Sequence, residues 1–267
     1  MKELLRRSLT GIVYVVLLLS TAYLNSDAFD FLFMAFGLGC LYEYRRIVDI
    51  KGYYIFIAYL SLWWAYIYLI PTETPRLVLL GVTLLINIAL LRYLFVRQKK
   101  YFSTFELYFI GIFYISGGFI FLTMIPYNEN GFAKFLIMGI FVLIWVSDSF
   151  AYLVGKSIGR TKLFPSVSPK KTIEGSLGGL IFAMLAGYLL SKYETSINTT
   201  QWLILAFVIV VTGALGDLLQ SKFKRAAGVK DSGAILPGHG GIWDRLDSLI
   251  FAAPFAYLTL KLFFYVS

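Results

Sequence analysis

The chain has 267 residues, of which 59% are hydrophobic and only 15% are charged, and its mean hydropathy is +0.76. Soluble domains average about 45–50% apolar residues, so this composition excludes a soluble globular protein. The net charge of +9 would attract anionic lipid head groups or a polyphosphate, and we expect no nucleic-acid partner.

Apolar runs of about 20 residues recur along the whole chain, and a helix needs about that length to cross a bilayer. We therefore predict an all-α, polytopic integral membrane protein with about nine transmembrane helices. The basic and apolar start is similar to a signal peptide, but no small-residue cleavage site follows it, so we expect a retained first helix. The predicted spans are 8–24, 28–47, 53–70, 76–96, 105–125, 132–155, 173–191, 201–220 and 246–264.

The basic residues predict the orientation and organisation of the chain. With a cytoplasmic N-terminus, nine alternating spans place 20 of the 24 lysines and arginines on the cytoplasmic side, as the positive-inside rule requires. We predict one membrane domain, 1–267, in which 1–130 is mainly lipid-embedded and 131–267 is a catalytic half. That half contains two long cytoplasmic loops, 156–172 and 221–245, which are rich in Gly, Pro, Ser and Lys.

We single out five acidic residues inside or beside predicted spans, where a carboxylate is costly and usually faces a cavity, a partner charge or an ion. Two of them are three residues apart on the ninth span, and antiparallel packing would bring Asp217 of the eighth span to the same depth. Converging carboxylates suit Mg²⁺, whereas one histidine and one cysteine do not suit zinc. An interhelical salt bridge remains the alternative for Asp148 and Asp217. The five acids are Asp148, Glu174, Asp217, Asp244 and Asp247.

The surroundings of these acids also suit phosphate. Asp217, Ser221 and Lys224 are spaced to line one stripe of a helix. The stretch PGHGG, 237–241, leads into a predicted helix whose free N–H groups would favour an anion. The positive-inside rule alone is the alternative explanation for the cations. Other cations in or beside the two loops are Lys170, Lys171, Lys222, Arg225, Lys230 and Arg245.

Two stretches closely resemble the signature of the phosphatidate cytidylyltransferases, also called CDP-diacylglycerol synthases. One is SKFKRAAGVKDSGAILPGHGGIWDRLDS, 221–248, with its Lys-Arg, Lys-Asp, Pro-Gly-His-Gly-Gly and Asp-Arg-x-Asp groups. The other is DSFAYLVGKSIGRTKLFPSVSPKKTIEGSLGG, 148–179, with its Ser-Pro-Lys-Lys-Thr-x-Glu-Gly block. Phe150 and Trp243 stand where the family has smaller residues, and neither departure removes a ligand.

The resemblance implies that CTP and phosphatidic acid react with Mg²⁺ to give CDP-diacylglycerol and pyrophosphate, at the cytoplasmic face of a bacterial-type inner membrane. Our hypothesis is that Asp217 and Asp244 hold the metal, with Asp247 as a third ligand or a supporting group. Asp148 and Glu174 could orient lysines or help a second cation, and Ser221 and Asp231 are further supporting residues. The expected phosphate contacts are Ser168, Lys170, Lys171, Lys222, Lys224, Arg225, Lys230, His239 and Arg245.

Two other functions stay open. Another CTP-dependent lipid enzyme, a polyprenol kinase or an archaeal-lipid cytidylyltransferase, would use similar polar groups with a different lipid. A cation-binding transporter would use the aspartates as ligands, although the charges gather at one end of the spans and form no path across them. The GxxxG pair of Gly175 and Gly179 fits close helix packing and is compatible with a homodimer.

Overall fold

The computed structural model describes residues 2–96, 102–235, 238 and 240–263, and the chain over these ranges is mostly helical. Short antiparallel hairpins join β1 (Tyr127–Asn128) to β2 (Gly131–Phe132) and β3 (Lys162–Phe164) to β4 (Ser168–Thr172). The helices are α1 (Lys2–Leu24), α2 (Ser26–Ile47), α3 (Tyr54–Trp64), α4 (Glu73–Phe95), α5 (Thr104–Ile110), α6 (Gly117–Met124), α7 (Lys134–Ile158), α8 (Ile173–Leu190), α9 (Thr199–Ala226) and α10 (Trp243–Leu262).

Each predicted span overlaps a helical segment of the described chain. π-Helical residues extend α3 through Ala65–Leu69, and the π-helical segment Gly111–Ser116 joins α5 to α6. Five helical segments of the described residues are long and apolar enough to cross a membrane: Glu73–Phe95, Thr104–Met124, Lys134–Ile158, Ile173–Leu190 and Thr199–Ala226. An integral membrane protein built mainly of helices is thereby confirmed, while nine spans and a cytoplasmic N-terminus stay predictions.

The helix α9 positions much of the polar cluster described below. It begins at a capping box, in which the Asn198 side chain accepts from Gln201 N at 2.9 Å and the Gln201 side chain accepts from Asn198 N at 2.8 Å. Its 28 residues make it about 42 Å long, longer than the hydrocarbon core of about 30 Å. The C-terminal turns of α9 can therefore extend beyond the lipid tails.

Glycines let the last four helices approach closely. A Cβ added to Gly175 would lie 2.6 Å from the Ala151 carbonyl oxygen of α7, and one added to Gly179 would lie 2.6 Å from the Ser147 carbonyl oxygen. The predicted close packing of this GxxxG pair is confirmed, but its partner is α7 of the same chain. The pair consequently gives no support to the homodimer, which stays a proposal.

Both departures from the family pattern are accommodated by aromatic packing. The ring of Phe150 stacks on Phe182 of α8 with centroids 3.7 Å apart. Trp243 is fully buried, and its ring lies 5.6 Å from Tyr44 of α2 and 6.3 Å from Phe223 of α9. Trp243 thus anchors the first turn of α10 against α2 and α9.

Candidate active site

A buried ion pair joins the C-terminal end of α9 to the start of α10. The Lys224 Nζ and Asp244 Oδ1 atoms are 2.6 Å apart, and these side chains are only 10% and 9% exposed. Gln220 Nε2 donates to the same Oδ1 at 3.0 Å, while the Ser232 and Gly241 N–H groups donate to Oδ2 at 2.8 and 2.9 Å. Asp244 therefore accepts four hydrogen bonds from protein donors.

The hairpin β3–β4 supplies a second ion pair. Successive side chains of a strand point to opposite faces, so β4 exposes Lys170 and turns Lys171 inward. The Lys171 ammonium pairs with Asp217 Oδ2, and Ser221 Oγ donates to Asp217 Oδ1 at 3.3 Å. The predicted stripe of Asp217, Ser221 and Lys224 is confirmed as one line of polar groups on α9.

The carboxylates that act on the charge of Lys171 indicate which acids lie near this lysine. Burial alone would lower the pKa of Lys171, but the charge and hydrogen bond of Asp217 and the charges of Asp247 and Asp148 outweigh it, so the pKa is raised. One ammonium group is therefore within electrostatic reach of three carboxylates, on α7, α9 and α10. Of the two acids of α10, Asp247 is the one that shares this surrounding with Asp217 and Asp148, whereas Asp244 is paired with Lys224.

A cavity of about 240 Å³ opens beside these acids, between α1, α7 and α10. Since α1 contributes to it, the N-terminal region, which we predicted to be mainly lipid-embedded, also shapes the candidate site. Polar groups line the cavity together with apolar ones, as is typical of small-molecule sites. Its lining residues are Thr10, Gly11, Tyr14, Val15, Ile144, Trp145, Asp148, Asp244, Arg245, Asp247 and Ser248.

The carboxylates are of the right chemical type for a hard divalent cation, but Asp217, Asp244 and Asp247 do not form the predicted three-ligand cluster. Among the described residues, no three histidine, cysteine, aspartate or glutamate side chains are grouped closely enough to hold a metal ion. The reason is visible in the contacts: Lys171 is paired with Asp217, and Asp244 is saturated by Lys224 and three other donors. Asp247 is buried next to α9, where a Cβ added to Gly216 would lie 2.7 Å from its carbonyl oxygen.

Three predicted site residues have protein partners outside the cluster. Lys222 donates to the carbonyl oxygens of Tyr93, Leu94 and Val96, and thereby caps the C-terminus of α4. Arg225 Nη1 donates to the Val229 carbonyl oxygen at 2.8 Å. Glu174 accepts from the N–H groups of Arg160 and Thr161 at 3.0–3.1 Å and so orders the chain entering β3.

The other predicted site residues are exposed, half-buried or outside the residues that the structure describes. Lys170, Lys230 and Asp231 are exposed, and Ser168 is half-buried in β4. His239 lies outside the described residues, so its proposed phosphate contact stays a prediction.

The turn before α10 differs from the prediction. The N–H groups of Gly241, Ile242 and Trp243 are not free for an anion, because Asp244 accepts from the first and Glu43 accepts from the other two. Gly240 has a φ of +86°, which favours glycine, and a Cβ there would lie 2.7 Å from Asp244 Oδ2. The glycines therefore bring the turn onto carboxylates of the protein itself.

Sequence reasoning missed Glu43, Gln220 and Ser232, which all hold the loop around Asp244. Glu43 carried a usable signal, since it is an acid inside the predicted span 28–47 and meets the criterion applied to Asp148 and Asp217. Gln220 and Ser232 carried none, because polar uncharged residues near a loop are common in any sequence.

The sequence is similar to known proteins over most of its length. The model of the "Cytidylyltransferase family" matches residues 5–263. A protein of Bacillus subtilis (strain 168) named phosphatidate cytidylyltransferase is 35% identical over 98% of this chain and 100% of its own length. A protein of the same name from Staphylococcus aureus (strain COL) is 41% identical over 62% of this chain and 63% of its own length. An uncharacterized protein of Escherichia coli (strain K12), YnbB, is 43% identical over 52% of this chain and 47% of its own length.

Proposed function

Because the chain belongs to the cytidylyltransferase family, we propose that it transfers the cytidylyl group of CTP to phosphatidic acid and so makes CDP-diacylglycerol for phospholipid biosynthesis. The observation that carries the proposal is the likeness to the phosphatidate cytidylyltransferase of Bacillus subtilis, which extends over 98% of this chain. The cluster of paired lysines and aspartates beside a cavity supports it independently, because such groups suit a reaction between two phosphate compounds.

The proposed step is an in-line displacement at phosphorus. A phosphate oxygen of phosphatidic acid forms a bond to the α-phosphorus of CTP, and the bond from that phosphorus to the α,β-bridging oxygen breaks. Pyrophosphate leaves with the electron pair of the broken bond. The attacking oxygen is already ionised at neutral pH, so the step needs no general base. It needs cations that reduce the repulsion between two polyanions and stabilise the leaving charge.

Two cationic groups of the described site are proposed for this task, and a third cation holds an aspartate. Arg245 lines the cavity, and its guanidinium can bind a phosphate through two parallel hydrogen bonds. Lys171 and Lys224 each balance an aspartate at the cavity or beside it. In the proposed reaction, Arg245 and Lys171 bind phosphate, whereas the buried Lys224 holds Asp244 in place.

We also propose Mg²⁺ as the cofactor, with Asp217 and Asp247 as the residues that would hold it, and Asp148, which lines the cavity together with Asp247, as the residue that would help a second cation. When bound, Mg²⁺ would neutralise phosphate charge and stabilise the leaving pyrophosphate. This assignment changes the role expected of Asp244, whose two oxygens already accept four hydrogen bonds. We assign Asp244 the role of fixing the loop before α10 against α9.

The proposed location is the inner membrane of a bacterial-type cell, with the site facing the cytoplasm, where CTP is available. The distribution of basic residues supports this orientation. The lipid substrate would keep its acyl chains in the bilayer while its phosphate reaches the cavity.

The test is pyrophosphate release by purified protein supplied with CTP, Mg²⁺ and phosphatidic acid in mixed micelles. We expect release only when both substrates are present, together with formation of CDP-diacylglycerol. An archaeal-type ether-lipid phosphate and a polyprenol serve as competing acceptors. Release with the ether lipid alone, or transfer of the γ-phosphate to the polyprenol with formation of CDP, would assign the chain to another lipid substrate. Ion flux through proteoliposomes without nucleotide turnover would refute the enzyme function.

A further inference from the structure

Glu43 of α2 is an acidic residue that the reaction above does not use, and it is buried to 1% exposure. Its carboxylate reaches segments almost 200 positions away in the sequence. Oε1 accepts from Ile242 N at 2.9 Å, and Oε2 accepts from Trp243 N at 2.9 Å and from Ser232 Oγ at 2.7 Å. All three donors belong to the loop before α10 or to the first residues of that helix.

Burial of a carboxylate in an apolar surrounding is costly unless hydrogen bonds compensate for it. Here the compensation comes from a hydroxyl group and from the N-terminus of α10, where free N–H groups and the helix dipole favour a negative charge. The fit is close, since a Cβ added to Gly233 would lie 2.6 Å from Oε1 and one added to Gly241 would clash with Oε2. Gly233 and Gly241 are therefore packed directly against this one carboxylate.

Glu43 and Asp244 accept hydrogen bonds from the same two short segments. Ser232 donates its N–H to Asp244 and its hydroxyl to Glu43, while Gly241 donates to Asp244 and the next two N–H groups donate to Glu43. Asp244 is itself fixed to α9 through Lys224. The two carboxylates together tie the first turn of α10 to α2 and α9.

We propose that Glu43 is a positioning residue for the cytidylyl transfer: its carboxylate fixes the first turn of α10 and thereby sets where Arg245 and Asp247 face the cavity. This inference rests on the proposed function. Glu43 contacts no reacting atom, and it acts only through the N–H groups of Ile242 and Trp243 and the hydroxyl of Ser232. The effect of its removal must therefore appear in the rate of the folded enzyme.

The test replaces Glu43 by glutamine, which has nearly the same size. Glutamine keeps one acceptor oxygen and turns an NH₂ group toward donors, so at least one N–H group of the turn loses its partner. We expect kcat per folded molecule to fall at least tenfold and hydrogen exchange of the turn at 240–244 to accelerate. Asp30→Asn is the matched control, because Asp30 is a buried acid on the same helix whose hydrogen bond goes to Tyr127, away from the site. We expect it to leave kcat unchanged.

A Glu43→Gln enzyme with wild-type kcat per folded molecule would overturn the inference, as would an equal loss in Asp30→Asn. If Glu43→Gln does not fold, Ser232→Ala removes a single donor, and a lowered kcat with faster exchange of the turn is then expected. Unchanged kcat in Ser232→Ala would overturn the inference in that case. A wild-type protein that releases no pyrophosphate from CTP and phosphatidic acid would instead refute the proposed function.

Discussion

The buried pair of Lys224 and Asp244 allows a quantitative test of how the site is held together. Asp244→Asn keeps one acceptor oxygen, so its amide nitrogen must face either Lys224 and Gln220 or two backbone N–H groups, and two of four hydrogen bonds are lost. Breaking a buried ion pair by removing one partner costs about 3–5 kcal/mol. At about 2–4 °C per kcal/mol for a chain of roughly this length, we expect Tm to fall by about 6–20 °C.

The measurement is a double-mutant cycle followed by thermal unfolding in a mild detergent. Lys224→Met should destabilise the protein about as much as Asp244→Asn, because each change leaves one buried charge without its partner. The double variant should lose less than the sum of the two single losses. The matched control is the more exposed pair of Lys261 and Glu73, where Lys261→Met should cost no more than about 1 kcal/mol. Strictly additive losses at Lys224 and Asp244 would refute the reasoning, since they would show that the two charges do not stabilise one another.

Three further predictions concern the phosphate, the helix contact and the metal. Arg245→Lys should lower kcat/KM at least tenfold, because an ammonium cannot make the bidentate contact; this corresponds to a loss of about 1.4 kcal/mol in transition-state stabilisation. A mild effect in the pyrophosphate assay would indicate a structural role. Gly216→Ala should destabilise the protein by about 1–3 kcal/mol, since its Cβ would lie 2.5 Å from Phe251 Cβ, whereas Gly81→Ala, with nothing within 4 Å, should not lower Tm. EDTA should stop pyrophosphate release and excess Mg²⁺ should restore it; a rate unchanged by EDTA would contradict the magnesium assignment.

The helices were predictable for two reasons. A segment that crosses lipid must be apolar over about 20 residues, and it must satisfy its backbone hydrogen bonds internally, as a helix does. The ends of the helices were less predictable, with consequences for the site. We predicted that the eighth span ends near residue 220, but α9 continues to Ala226. At about 100° per residue, two positions along a helix turn a side chain by about 200°, so Lys222 and Lys224 face opposite sides. One caps α4 and the other binds Asp244, although both look alike in a basic loop.

The partners of the acidic residues could not be predicted for a different reason. The sequence shows that a carboxylate at membrane depth needs compensation, and this identified Asp148 and Asp217 as candidates. It does not show which donor supplies the compensation. The partner of Asp217 is Lys171, 46 positions earlier, and it turns inward only because 168–172 form a strand that the sequence did not predict. Hydrogen bonds between distant segments follow from packing, which pattern and spacing do not encode.

The length of α9 explains why the acids, the lysines and the cavity meet where they do. The helix exceeds the hydrocarbon thickness by about 12 Å, or about eight residues, and Asp217 lies nine residues before its last residue. In the proposed orientation, this excess at the C-terminal end of α9 would place the cluster near the boundary between lipid tails and water. A charged group at that depth is partly desolvated, so it needs a partner of opposite charge, as Asp217 has in Lys171. A nucleotide can reach the same depth from water, while a lipid phosphate can reach it without its acyl chains leaving the bilayer. In the proposed reaction, a helix long enough to carry polar residues past the lipid tails would let the two substrates meet there.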